Sequence, residues 1–120
     1  MATAAITAVT ETGSSVKKIT FAFTSSDTGT ASASTTSAYS GKLIWCVIDP
    51  GATTPTAAWD LTVTDVDSID LLAGGGADCS ETATEYIAEA SLGAIDGGVI
   101  TFNVTAAGDQ KTGTVYLWIR

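Results

Sequence analysis

The chain has 120 residues, with 13 acidic and 5 basic side chains and a formal net charge of −8. That length suits one domain, residues 1–120, with a hydrophobic core of its own. Its cations, Lys17, Lys18, Lys42, Lys111 and Arg120, are scattered, which argues against nucleic acid and against an anionic membrane surface, since both require clustered positive charge.

No apolar run approaches the ~20 residues needed to cross a bilayer. The opening MATAAITAVTETG lacks a basic start and a compact hydrophobic block. No secretory signal is therefore expected, and folding in the cytoplasm is.

In chain order, residues 4–10 predict a weak strand. Residues 19–24 alternate cleanly, with Ile19, Phe21 and Phe23 on one side and Thr20, Ala22 and Thr24 on the other. The run TGTASASTTSAYSG, residues 28–41, reads as a mobile hairpin or a weak edge strand. LIWCVI, residues 43–48, is apolar on both faces. In residues 59–64, Trp59, Leu61 and Val63 point one way and Asp60, Thr62 and Thr64 the other. Residues 85–90 predict another weak strand, and residues 100–105 a clear one. Residues 115–119 set Val115, Leu117 and Ile119 against Tyr116 and Trp118.

Turn signals separate these segments: Thr12-Gly13-Ser14, Asp27-Thr28-Gly29, Asp49-Pro50-Gly51, Asp96-Gly97-Gly98 and Gly108-Asp109. Short strands at this spacing, with no long helical pattern, predict an all-β domain. The expected form is an antiparallel β-sandwich, Ig-like or jelly-roll-like, or a small barrel, of seven to eight strands. A strand in a two-layer sandwich has one wet face. The doubly apolar strands at 43–48 and 115–119 therefore need a loop or another chain to cover their second face.

The stretch LTVTDVDSIDLLAGGGADCS, residues 61–80, is the richest in side-chain chemistry. Asp65, Asp67, Asp70 and Asp78 with loop carbonyls admit a calcium site. Their spacing fits neither the EF-hand nor the glycine-rich calcium repeat. Turn chemistry, with aspartates bonding nearby backbone, is the plainer reading. Gly74, Gly75 and Gly76 are followed by Ala77, Asp78 and Cys79. A phosphate loop would place Lys and Ser or Thr there, and an aspartate repels phosphate.

The sequence contains no histidine, so histidine-based triads and the usual zinc ligand sets are excluded. No enzymatic activity and no cofactor are expected. Cys46 reads as a small buried hydrophobe. A reduced state is expected for Cys46 and Cys79, with a pairing between them as the alternative. Asn103-Val104-Thr105 matches a glycosylation sequon that has no meaning without secretion. Among the aromatic residues, Trp59 is in phase with the core. Tyr116 and Trp118 read as anchors of a protein contact rather than a sugar platform. The candidate contact residues are Leu43, Trp45, Val47, Tyr116 and Trp118.

Four blocks together carry a resemblance. They are VKKITF at residues 16–21, YSGKL leading to DPG at 39–51, WDLTVTD through DLLAG to SETATE at 59–85, and TGTVYLWIR at 112–120. The sequence resembles small all-β virion proteins of tailed bacteriophages over most of its length. That resemblance implies a structural role as a capsid decoration (cement) protein on the virion surface. It implies contact with the major capsid protein or with sister subunits, as a dimer or trimer, and it supplies no catalytic residue. An Ig-like adhesion or carbohydrate-binding module is the rival reading. Such modules usually belong to longer chains, so a stand-alone subunit is expected.

Overall fold

The alternating segments all fold as strands. The structure, a computed structural model, describes residues 5–13 and 15–120. Ala4, in the first predicted strand, and Ser14, in the predicted Thr12-Gly13-Ser14 turn, lie outside the described residues. The strands are β1 (Ile6–Gly13), β2 (Lys17–Thr24), β3 (Ala31–Ser34), β4 (Ser40–Pro50), β5 (Asp60–Thr64), β6 (Glu85–Ala88), β7 (Ala94–Asp96), β8 (Thr101–Thr105) and β9 (Thr112–Ile119). One turn of 3-10 helix, Glu89–Ser91, separates β6 from β7.

All strand pairs are antiparallel. One sheet runs β1-β2-β9-β4-β6, with β7 pairing the start of β4, and the other runs β3-β8-β5. This is a β-sandwich. The run at 28–41 supplies the edge strand β3 and a loop, and β7 is a short strand that the sequence did not reveal.

The inner face of the large sheet contributes Ile19, Phe21 and Phe23 from β2, Leu43, Cys46 and Ile48 from β4, and Val115, Leu117 and Ile119 from β9. Leu61, Val63, Phe102 and Val104 meet them from the small sheet. Phe21 stacks on Phe102 across the two layers at 5.0 Å between ring centroids, and Phe23 tilts against Trp59 at 5.6 Å. Trp59 is fully buried, and its indole N–H donates to the Ser80 carbonyl at 2.9 Å. Its large apolar area thus enters the core with no unpaired donor. Gly113 is required by this packing, because a Cβ there would stand 2.7 Å from the Phe23 ring.

Two polar devices fasten the periphery. The Lys42 ammonium donates to the carbonyls of Glu89 at 3.0 Å and Leu92 at 2.6 Å, tying the 3-10 turn to β4. Glu11, on β1, holds the loop between β3 and β4. Its carboxylate accepts from the Tyr39 hydroxyl at 2.7 Å, the Thr36 hydroxyl at 2.7 Å and N–H at 3.2 Å, and the Ser37 N–H at 3.1 Å. Burial alone would raise the Glu11 pKa. The donated hydrogen bonds outweigh it and hold the group down, from 4.5 to about 2. Burial, the Glu11 hydrogen bond and the Glu11 charge push the Tyr39 phenol upward.

A carboxylate with a depressed folded-state pKa adds stability above its unfolded value and loses it as pH falls through the folded value. Glu11→Gln should therefore be less stable than the parent at neutral pH. The gap in urea-unfolding midpoint should close as pH drops from 4.5 towards 2. A gap constant across that window would mean the latch contributes nothing through its charge.

Candidate functional site

Strand alternation assigns two faces to each central strand, and only one faces the core. The outer face of the large sheet is built in cross-strand rows. One row runs Ala88, Trp45, Trp118, Lys18 and Thr12. The next runs Tyr86, Val47, Tyr116, Thr20 and Thr10. Beyond these lie Asp49, Thr114, Ala22 and Ala8, and then Thr112, Thr24 and Ile6. No segment among the described residues folds over the aromatic rows: Trp45 is 37% and Tyr86 63% exposed, and Val47, Tyr116 and Trp118 are partly exposed.

The rings are organised in pairs. Trp45 and Tyr86 stack at 5.8 Å with planes 29° apart, and Tyr116 and Trp118 at 6.1 Å with planes 27° apart. The Lys18 ammonium stands 5.0 Å from the Tyr116 ring centroid and 5.4 Å from that of Trp118. Cation–π contact of this kind holds the rings in place and contributes about 0.5–1 kcal/mol at an exposed site.

Four of the five sequence-predicted contact residues, Trp45, Val47, Tyr116 and Trp118, come together here. Leu43 does not. It is fully buried in the core, opposite Ile119. The register between β4 and β9 shifts between Leu43 and Trp45, so Ile44 is an extra residue in the ladder. A bulge of one residue reverses parity, which places Leu43 inward and Trp45 outward although they are two apart in sequence. Tyr86 and Lys18 were missed. The alternation of Glu85-Tyr86-Ile87-Ala88 was the available signal for Tyr86.

The aspartate-rich stretch has a different role. A turn follows β5, so Asp65 and Asp67 are not on one extended segment. Asp65 Oδ1 accepts the N–H groups of Asp67 at 2.9 Å and Ile69 at 3.0 Å. Asp70 accepts from Val63 at 3.3 Å and Leu72 at 3.1 Å through Oδ1, and from Gly74 at 2.9 Å through Oδ2. The Asp78 N–H donates to Asp60 Oδ1 at 3.0 Å. Gly76 packs so closely that a Cβ would collide with the Leu61 carbonyl. These carboxylates cap turn backbone. Among the described residues no three His, Cys, Asp or Glu side chains cluster as metal ligands would.

Cys46 and Cys79 are both free and buried. Burial pushes the Cys46 thiol up to about 12. Burial, followed by the Glu85 charge and hydrogen bond, does the same to Cys79. Both stay protonated at neutral pH, the opposite of an activated nucleophile. Between β1 and the β3–β4 loop, a cleft of about 270 Å³ is lined by Glu11, Lys17, Ser37, Tyr39 and Ser40, among others. Its carboxylate is already engaged in the latch.

Removing the Asp70 carboxylate strips acceptors from three backbone N–H groups. Asp70→Ala should cost about 1–3 kcal/mol in chemical unfolding, equally with calcium or with chelator. A loss seen only in calcium would show that these aspartates hold a cation.

No protein-family model matches the chain, and no curated protein matches it significantly. Among solved structures it is similar to a cupin domain from Bordetella pertussis Tohama I, at 16% identity and a TM-score of 0.38, covering 98% of this chain and 95% of that one. It is also similar to a low-affinity xylan-binding module from the gut symbiont Roseburia intestinalis, at 9% identity and a TM-score of 0.43, covering 96% and 85% of the two chains.

Proposed function

We propose that the chain is a non-enzymatic structural protein that works by protein–protein contact, as a capsid decoration protein of a tailed-bacteriophage particle. The observation that carries the contact reading is the uncovered aromatic face of the large sheet. Trp and Tyr dominate the energetic centres of protein interfaces, where truncating one costs about 2 kcal/mol or more. The particle assignment rests on the sequence resemblance to small virion proteins. In this reading the chain is made in the host cytoplasm and then buries its aromatic rows at the capsid surface, against the major capsid protein or sister subunits. Its other surfaces, rich in carboxylates, keep it soluble until then.

A second reading has one observation behind it. Two stacked aromatic pairs on an open sheet also offer faces to a sugar ring, as in a carbohydrate-binding or adhesion module. Retention on immobilised glycans, abolished by loss of Trp45 or Trp118, would favour it.

Trp118→Glu should leave the isolated chain folded, because the side chain is partly exposed and Lys18 adjoins it. The same change should remove the protein from particles assembled with it. Unaltered incorporation would show that the face is not the contact. Unfolding of the isolated variant would make Trp118 part of the core.

A further inference from the structure

We infer that the outer edge of β1 pairs with β1 of a second copy, antiparallel about a two-fold axis, in the register that sets Val9 against its own copy. The aromatic face takes no part in this contact, so the inference goes beyond the proposed function and is tested apart from it.

The first observation is an open edge. β1 runs for eight residues and pairs with β2 in an unbroken ladder. Every second residue of such a strand turns its N–H and C=O away from its neighbour. Among the described residues no backbone group outside β2 bonds to β1. The other edges are short or covered. β3 and β6 span four residues each and β7 three. β5 is covered by the segment after it: the Leu71 N–H donates to the Val63 carbonyl at 2.7 Å, and the Leu61 N–H to the Gly76 carbonyl at 2.7 Å. Soluble proteins blunt an exposed edge with Pro, Lys or a bulge, and ITAVTETG has none of these. A row of N–H and C=O groups at strand spacing is matched by an extended backbone, as in strand addition to a sheet.

The second observation is that β1 complements itself. Thr7, Val9 and Glu11 share the core side with their partners Phe23, Phe21 and Ile19, while Ile6, Ala8, Thr10 and Thr12 face outward. Opposite residues of an antiparallel pair lie on one face, so a two-fold pairing within one sheet joins inward to inward and outward to outward. With the axis at Val9, Thr7 meets Glu11 of the second copy, Ala8 meets Thr10 and Ile6 meets Thr12. About six to eight backbone hydrogen bonds form, two for each bonded pair. An axis at Thr10 would set Val9 against Glu11, and one at Ala8 would cut the overlap to residues 6–10. Val9 and Ala33 pack on the core but are only partly buried. Val9 of the second copy adds apolar cover at that rim.

Charge agrees. Glu11 is the only charged residue of β1. In this register its two copies stand about 14 Å apart, beyond the screening length of about 8 Å. With Lys17 and Lys18 on β2, the pair of strands carries two cations against one anion in a chain of net charge −8. Copies that meet here avoid the repulsion of the acidic remainder. An axis normal to the sheet joins two five-strand paths into one of ten strands and leaves both aromatic faces on the same side.

Sedimentation equilibrium of the full chain, carried to millimolar concentration, tests this. The expected result is a reversible species of twice the 12.1 kDa chain mass. Val9→Lys sets like charges face to face on the axis and should raise the dissociation constant at least ~10-fold, with circular dichroism unchanged. Trp118→Glu, two strands away, should leave the constant unaltered. A cysteine pair gives a reading that does not depend on the lysine variant. Val9→Cys should be linked into a covalent dimer by mild oxidation. Thr7→Cys should not, because its copies stand about 14 Å apart and a disulfide needs Cα atoms within about 7 Å. A chain that stays monomeric overturns the inference, as does a dimer indifferent to Val9→Lys. A dimer lost on Trp118→Glu instead would place the contact on the aromatic face. Equal cross-linking at positions 7 and 9 would overturn the register.

Discussion

Strand β9 lies at the centre of the large sheet, and its period of two couples the core to the outer surface. Val115, Leu117 and Ile119 cannot be buried without turning Tyr116 and Trp118 outward. The neighbours on either side obey the same rule, so burying Ile19 and Phe21 exposes Lys18 and Thr20. Burying Cys46 and Ile48 exposes Trp45 and Val47. The aromatic face is therefore the geometric complement of the core, and neither can be altered alone. What a strand does not dictate is residue choice on its wet side, and here that side carries two tryptophans and two tyrosines where Thr would serve solubility better.

Against that constraint, the chemistry-bearing residues fall into place as scaffold. Asp65 and Asp70 organise the reversal after β5, Glu11 clamps the loop before β4, and Lys42 collects carbonyls from the 3-10 turn. Each is a charge directed at local backbone or at a neutral hydroxyl. The thiols are buried with their pKa values raised. The outer face of the large sheet, by contrast, exposes Trp45 and Tyr86, and the proposed contact reading rests on that aromatic face.

Much of the fold was legible because period-two patterning is a local signal. β2, β4, β5, β8 and β9 carry it in their own residues, and each forms where the alternation stands. Other features are set by partners far away in sequence. β7 spans only three residues, Ala94–Asp96, and exists because Ser40–Lys42 offers it a ladder. The Glu11–Tyr39 latch joins residues 28 apart, with no motif to announce it. The face assignment of Leu43 failed because a bulge at Ile44 leaves no local mark, yet one inserted residue exchanges inside for outside.

The central claim is that this chain serves as a structural part of a particle. Quantitative mass spectrometry of phage particles purified from cells that produce the chain, counting its copies against the major capsid protein, tests that claim most directly. The account predicts a fixed ratio near one or a simple fraction of it. Complete absence of the chain from the particles would contradict it.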